Sequence, residues 1–286
     1  MSLRDYILSS PAFSRKRAPV WGKFDPAWYA AQYKEQITES GLPETDFNDQ
    51  SLEEHWLNHG AKMALSPNAL FDEKWYLKEN PDVREGVQLG IFDCGFLHYC
   101  ESGFLSRSPH WLFSEKEYFL HNPDISPHIL KEQGFCNGYD HYLAVGDREE
   151  RTPHLFFNPS VFRAASLPKG HKFDFDRSAF SQFIENETAG MRRSSWYFDA
   201  SWYVKHYAEV ATALDNKLFN NPLHHYLTNG DPTAFNPNPW FSEDDYARRY
   251  SDVAGIVKGG DLEILLSTSS GLVHARCVSQ KTGSTL

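Results

Sequence analysis

A phenylalanine followed by Asp, Ser or Asn returns six times along this chain at nearly constant spacing, and few architectures tolerate such periodicity. The segments begin at Phe24, Phe71, Phe113, Phe157, Phe198 and Phe241, separated by 47, 42, 44, 41 and 43 residues. A second line follows most of them: "EEHWLNHG" ending at Gly60, "FLHYCESG" at Gly103, "YDHYLAVG" at Gly146 and "HHYLTNG" at Gly230. His55, His98, His141 and His225 each stand five places before that glycine. Units this short cannot bury an apolar face alone, so neighbours must stack. The spacing predicts an all-α array of about five to six repeats, each of two or three short helices, either solenoid-like or compact.

Local chemistry supports the helices. Asp, Ser or Asn after the phenylalanine supplies an N-cap acceptor, and Pro26 and Pro159 fall at the first helical position, where a missing N–H costs nothing. The fourth helical residue is Tyr29, Tyr76, Tyr118, Phe162, Tyr203 or Tyr246, placed to close a hydrophobic staple on the preceding phenylalanine. Ser114 and Glu117 have capping-box spacing. Asn80-Pro81 and Asn122-Pro123 interrupt their helices, and Asp82 and Asp124 are expected to cap a second short helical turn, as is Asp252. The glycine ending the second line reads as a left-handed helix stop. In the fourth unit Gln182 and Glu187 replace the histidine and the glycine, which predicts a distorted or extended second helix. The implied organisation is an N-terminal arm over 1–23, a repeat domain over 24–260 and an atypical tail over 261–286.

A formal net charge of −10, with Lys and Arg scattered apart from Arg15 to Arg17, argues against nucleic acid as a partner. No window approaches the ~18 apolar residues of a membrane span, so the expected setting is cytoplasmic or membrane-peripheral, with no integral membrane segment. Cys94, Cys100, Cys136 and Cys277 have neither disulfide-scaffold nor zinc-site spacing and read as reduced thiols. No nucleotide-binding, metalloprotease or nucleophile-elbow motif is present, and "FDFDR" at 173–177 reads as a turn and cap. Nothing in the motifs calls for a cofactor, a metal or a catalytic residue.

Two sets of repeated side chains are the candidates for function. His55, His98, His141 and His225 serve either as polar pins between neighbouring units or as the lining of a ligand groove, and His98, His141 and His225, if they share one ridge, could also hold a metal. Trp28, Trp75 and Trp202 recur beside the staple tyrosine, either as core or as faces for stacking on sugar rings.

The pattern F-D-x-x-W-Y-L-x-x-N-P-D-V followed by H-Y-L-x-x-G resembles the repeat found beside glycosyltransferase domains in bacterial proteins that build surface polysaccharide. The likeness spans residues 24 to about 254. It implies a non-catalytic helical module that accompanies sugar-transfer enzymes and binds a glycosyltransferase or a polysaccharide. It transfers no catalytic residue. The last residues, Lys281, Thr282, Gly283, Ser284 and Thr285, resemble the loop with which sulfotransferases hold the 5′-phosphate of their donor. That likeness implies a second reading: the N-terminal part of a glycosyltransferase or sulfotransferase whose catalytic domain is missing.

Overall fold

A computed structural model describes residues 18–166, 174, 176–185, 187–231 and 233–250. Arg15 to Arg17, Asp252, Cys277 and Lys281 to Thr285 lie outside the described residues, as does the whole of the expected tail. The described chain is all-α, and its only extended pairings are two isolated bridges, His154 with Phe157 and Asn238 with Phe241.

Each repeat opens with a lead helix. These are Pro26–Glu39, Glu73–Glu79, Glu115–His121, Pro159–Ser166, Ala200–His206 and Glu243–Arg249. Asp25, Asp72, Ser114, Asp199 and Ser242 cap five of them by accepting the N–H three residues on. The predicted staples close in those same five: Phe24 to Tyr29, Phe71 to Tyr76, Phe113 to Tyr118, Phe198 to Tyr203 and Phe241 to Tyr246, with ring centroids 5.0–5.5 Å apart. A ring pair of this kind contributes roughly 0.5–1.5 kcal/mol beyond its buried area. A closing helix ends the repeat. The closing helices are Asp49–His55, Gly95–Glu101, Gly138–His141, Ala179–Glu185 and Pro222–Thr228. In the first and third repeats a π-helical turn continues the closing helix, as Trp56–Gly60 and Tyr142–Gly146.

Between these helices lies a middle helix where a break permits one. Pro81–Gln88 follows directly on Asn80. After Asn122-Pro123 the chain instead makes a turn at Asp124, and helix resumes only at Pro127–Glu132, capped by Ser126. The Ser114 capping box forms by half. Ser114 accepts the Glu117 N–H, but the Glu117 carboxylate reaches across to the Leu155 N–H at 2.8 Å.

The repeats are tied together through the loops that precede each phenylalanine, here called entry loops. In five of them the side chain three places before the phenylalanine accepts the N–H two residues later: Asn68 from Leu70, His110 from Leu112, His154 from Phe156, Ser195 from Tyr197 and Asn238 from Trp240. A polar side chain closing on its own backbone in this way fixes a turn. The same loops then touch each other. The Asn68 amide donates to the Trp21 and Lys23 carbonyls, and Asn238 does likewise to Tyr197. The N–H groups of the capping Asp25, Asp72 and Asp199 donate to the carbonyls of Pro67, Pro109 and Pro237, so the first, second and fifth repeats return at their ends to their own beginnings. Trp21 is fully buried in the first of these loops, which places the expected arm boundary at residue 24 inside a packed element.

The described residues form two compact units. One comprises those up to Ser160 and between 173 and 185, the other those between 161 and 172 and from 186 onward. The division falls within the fourth repeat, the one whose sequence departs from the pattern. Its closing helix belongs to the first unit and is followed by a further turn, Glu187–Gly190, in the second.

Candidate functional site

The four repeated histidines sit in four copies of one buried arrangement. The staple tyrosine of each lead helix meets the histidine of the closing helix in its own repeat: Tyr29 with His55 at 3.0 Å, Tyr76 with His98 at 2.9 Å, Tyr118 with His141 at 2.7 Å and Tyr203 with His225 at 2.8 Å, always at Nδ1. The pin therefore closes a repeat on itself and does not join it to a neighbour, contrary to the sequence expectation. At His55 the tautomer follows from the surroundings. Ser40 Oγ already donates toward the Gln36 and Ile37 carbonyls, so its 2.6 Å contact with Nε2 is accepted from an Nε2–H, and Nδ1 receives the tyrosine proton.

Phenylalanine edges complete three of the cages. Phe92, Phe135 and Phe219, each six places before its histidine, pack edge-on at 4.7–4.8 Å. This aromatic was not singled out from the sequence, although its constant offset was there to be read. In the first repeat His59 stands beside His55 instead, with ring centroids 5.5 Å apart.

The glycines answer to the same arrangement. Gly60, Gly103 and Gly146 do not adopt the left-handed φ expected of a helix stop; in this signature only Gly230 does, at +87°. At the other three a Cβ would collide with the hydroxyl of Tyr29, Tyr76 or Tyr118. Glycine stands there because the tyrosine needs the space. In the fourth repeat all three residues change together: Phe162 has no hydroxyl, Gln182 replaces the histidine and Glu187 the glycine. Gln182 bonds instead to the backbone of Asp174, through Oε1 and Nε2.

Buried carboxylates hold the closing helices from the other end. Glu73 accepts the Gly95 and Phe96 N–H groups at 2.6 and 2.8 Å, and Glu115 accepts those of Gly138 and Tyr139. Asp147 does the same for Ala179 and Phe180 of the fourth repeat. Burial pushes Glu73 and Glu115 up to about 7, against the backbone N–H groups, which pull the other way. Asp82 and Asp124 are not helix caps. They form two-pronged pairs with Arg107 and Arg151, the carboxylates largely exposed and the arginines mostly covered, each pair worth about 1 kcal/mol or less.

Burial lowers the pKa of His55, His98, His141 and His225 alike. As pH falls below about 6.5 the unfolded chain binds protons that the folded chain refuses, so stability present at neutral pH is lost on acidification. Glu73 and Glu115 act oppositely, their contribution fading as pH rises from about 4.5 through 7. His225 isolates the histidine effect, because Glu209 is the one charge that perturbs it. The stability gap between wild type and His225→Gln is expected to narrow as pH drops below 6.5, measured by urea unfolding across pH. A gap that is constant with pH contradicts this.

The repeated tryptophans behave unequally. Trp75 is buried, whereas Trp28 and Trp202 are half-buried; Trp28 packs edge-on against Tyr33, and Trp202 stacks on His206 at 4.6 Å. The tryptophans that face solvent are two that sequence reasoning passed over, Trp196 and Trp240, 74% and 83% exposed. Both lie on entry loops of the second unit, joined by the bond from Asn238 to the Tyr197 carbonyl, and the Arg193 guanidinium lies 5.2 Å over the Trp196 ring. Among the described residues no three His, Cys, Asp or Glu side chains gather into a metal-holding group, and no helix is long and apolar enough to cross a membrane. Cys94, Cys100 and Cys136 are not joined in disulfides, and burial holds the Cys94 and Cys100 thiols well above the usual thiol range.

The protein is thus an all-α chain built around recurring Tyr–His–Gly contacts. No family model, curated protein or solved structure matches it.

Proposed function

We propose that this chain is a non-catalytic helical-repeat module of bacterial surface-polysaccharide machinery, in the cytoplasm or at the membrane face, binding a glycosyltransferase or a glycan. The observation that carries the reading is how its reactive side chains are used. The repeated histidines, their staple tyrosines and the buried glutamates are engaged in closing the repeats that carry them, while the outward groups include a Trp, Tyr and Arg cluster on the second unit. The link to polysaccharide rests on the resemblance of the repeat. Pure protein is expected to retain, saturably, either isolated surface polysaccharide or a glycosyltransferase of the same cell. Retention of neither would remove this reading. The K-T-G-S-T sequence at Lys281 to Thr285 favours a second one, the leading part of a transferase. Its test is the coding region beyond residue 286 in all three frames, where an α/β transferase domain would support it.

A further inference from the structure

In the first unit three entry loops are covered by the closing helix of the repeat after their own. Trp21, before the first repeat, packs edge-on against Tyr99 of the second at 4.8 Å. The Leu70 carbonyl, before the second, accepts the Tyr139 hydroxyl of the third at 2.6 Å. His110, before the third, packs against Phe180 of the fourth at 5.5 Å. Trp111 and Leu112, in the last two positions of their entry loop, are buried, as is Phe156 in the last position of its own. In the second unit those positions are filled by Trp196 and Tyr197, before the fifth repeat, and by Trp240, before the sixth. These three are exposed.

We propose that this surface docks a short aromatic helix of the closing-helix type, supplied by a separate polypeptide, with an acidic side chain opposite Arg193. The internal contacts of the first unit are the template for it. Trp, Tyr and Arg are also the side chains that concentrate binding energy at protein interfaces. The guanidinium on Trp196, in a chain of net charge −10, calls for an acidic group on the partner. A second copy is a poor source, because the aromatic side chains of its own closing helices and their continuations, Trp56, Tyr99, Tyr139, Phe180 and Tyr226 among them, are buried. The inference rests on the reading of the chain as a binding module, not on the polysaccharide link.

The test uses the full chain and a labelled synthetic peptide of residues 136–146, Cys-Asn-Gly-Tyr-Asp-His-Tyr-Leu-Ala-Val-Gly, held helical by a side-chain staple. Fluorescence anisotropy is expected to show saturable binding, weakened roughly tenfold or more by the double variant Trp196→Ala, Trp240→Ala. Since both side chains are exposed, that variant should melt where the wild type does. The proposal is overturned if the peptide fails to bind, if it binds both proteins equally, if the two tryptophans instead drive self-association, or if they retain polysaccharide and no peptide. Peptide binding together with failure to capture either polysaccharide or a glycosyltransferase would keep this surface and discard the polysaccharide reading.

Discussion

Alanine at Gly103 is expected to lower stability by about 3 kcal/mol, because its Cβ drives into a closed, buried contact. That Cβ would stand 3.2–3.3 Å from two atoms of the His98 ring and closer still to the Tyr76 hydroxyl, which is itself bonded to His98 Nδ1. Relief requires moving the tyrosine, and moving it leaves a buried hydroxyl and a buried imidazole nitrogen without each other. Overpacking and lost hydrogen bonding therefore add. Gly90 makes the comparison, since it has a left-handed φ of +72° and a methyl group there would meet nothing within 4 Å. Alanine at that position suffers only backbone strain, roughly 1–2 kcal/mol. Urea unfolding at constant m should separate the two, and equal losses would show that Gly103 is a conformational glycine after all.

The second large effect is a coupling. Tyr118→Phe should cost about 2 kcal/mol, because the His141 nitrogen is left buried without its donor, and His141→Gln should cost a similar amount. The double variant should lose less than the sum, by roughly 1 kcal/mol or more, since neither partner then lacks the other. The chain contains its own precedent: the fourth repeat carries Phe162 and Gln182 in these places, with the glycine changed as well. A double-mutant cycle by chemical denaturation measures this directly. Strict additivity would mean that the 2.7 Å contact carries no energy of its own.

How much of this was legible in the sequence depended on how local each interaction was. The caps and staples were, because Asp72 and Trp75, or Phe71 and Tyr76, meet within a single helical turn whose geometry is fixed in advance. The histidine reads from the sequence as a pin or as groove lining, and neither reading names its partner. Tyr76 lies 22 residues before His98, and spacing alone does not say whether a polar side chain closes its own repeat or the next. The glycine misled for a different reason. Two distinct demands, a left-handed φ and a close approach, both write glycine near a helix end, and only Gly230 obeys the first. Asp82 resembles a cap in sequence, yet its partner, Arg107, is 25 residues away. Trp196 and Trp240 carry no such signal, because they lie off the register of the tryptophans that repeat, on loops whose exposure depends on what covers them.

If four neutral imidazoles, each accepting a tyrosine proton at Nδ1, hold these repeats closed, nitrogen-15 NMR of the histidine side chains will read it. At pH 6.5, where an unshifted histidine is half protonated, His55, His98, His141 and His225 should be more neutral than charged, with Nδ1 shifted as an acceptor and the proton on Nε2. Half-protonated imidazoles at these four positions, titrating freely as exposed side chains do, would mean that the tyrosine contacts do not hold the repeats closed.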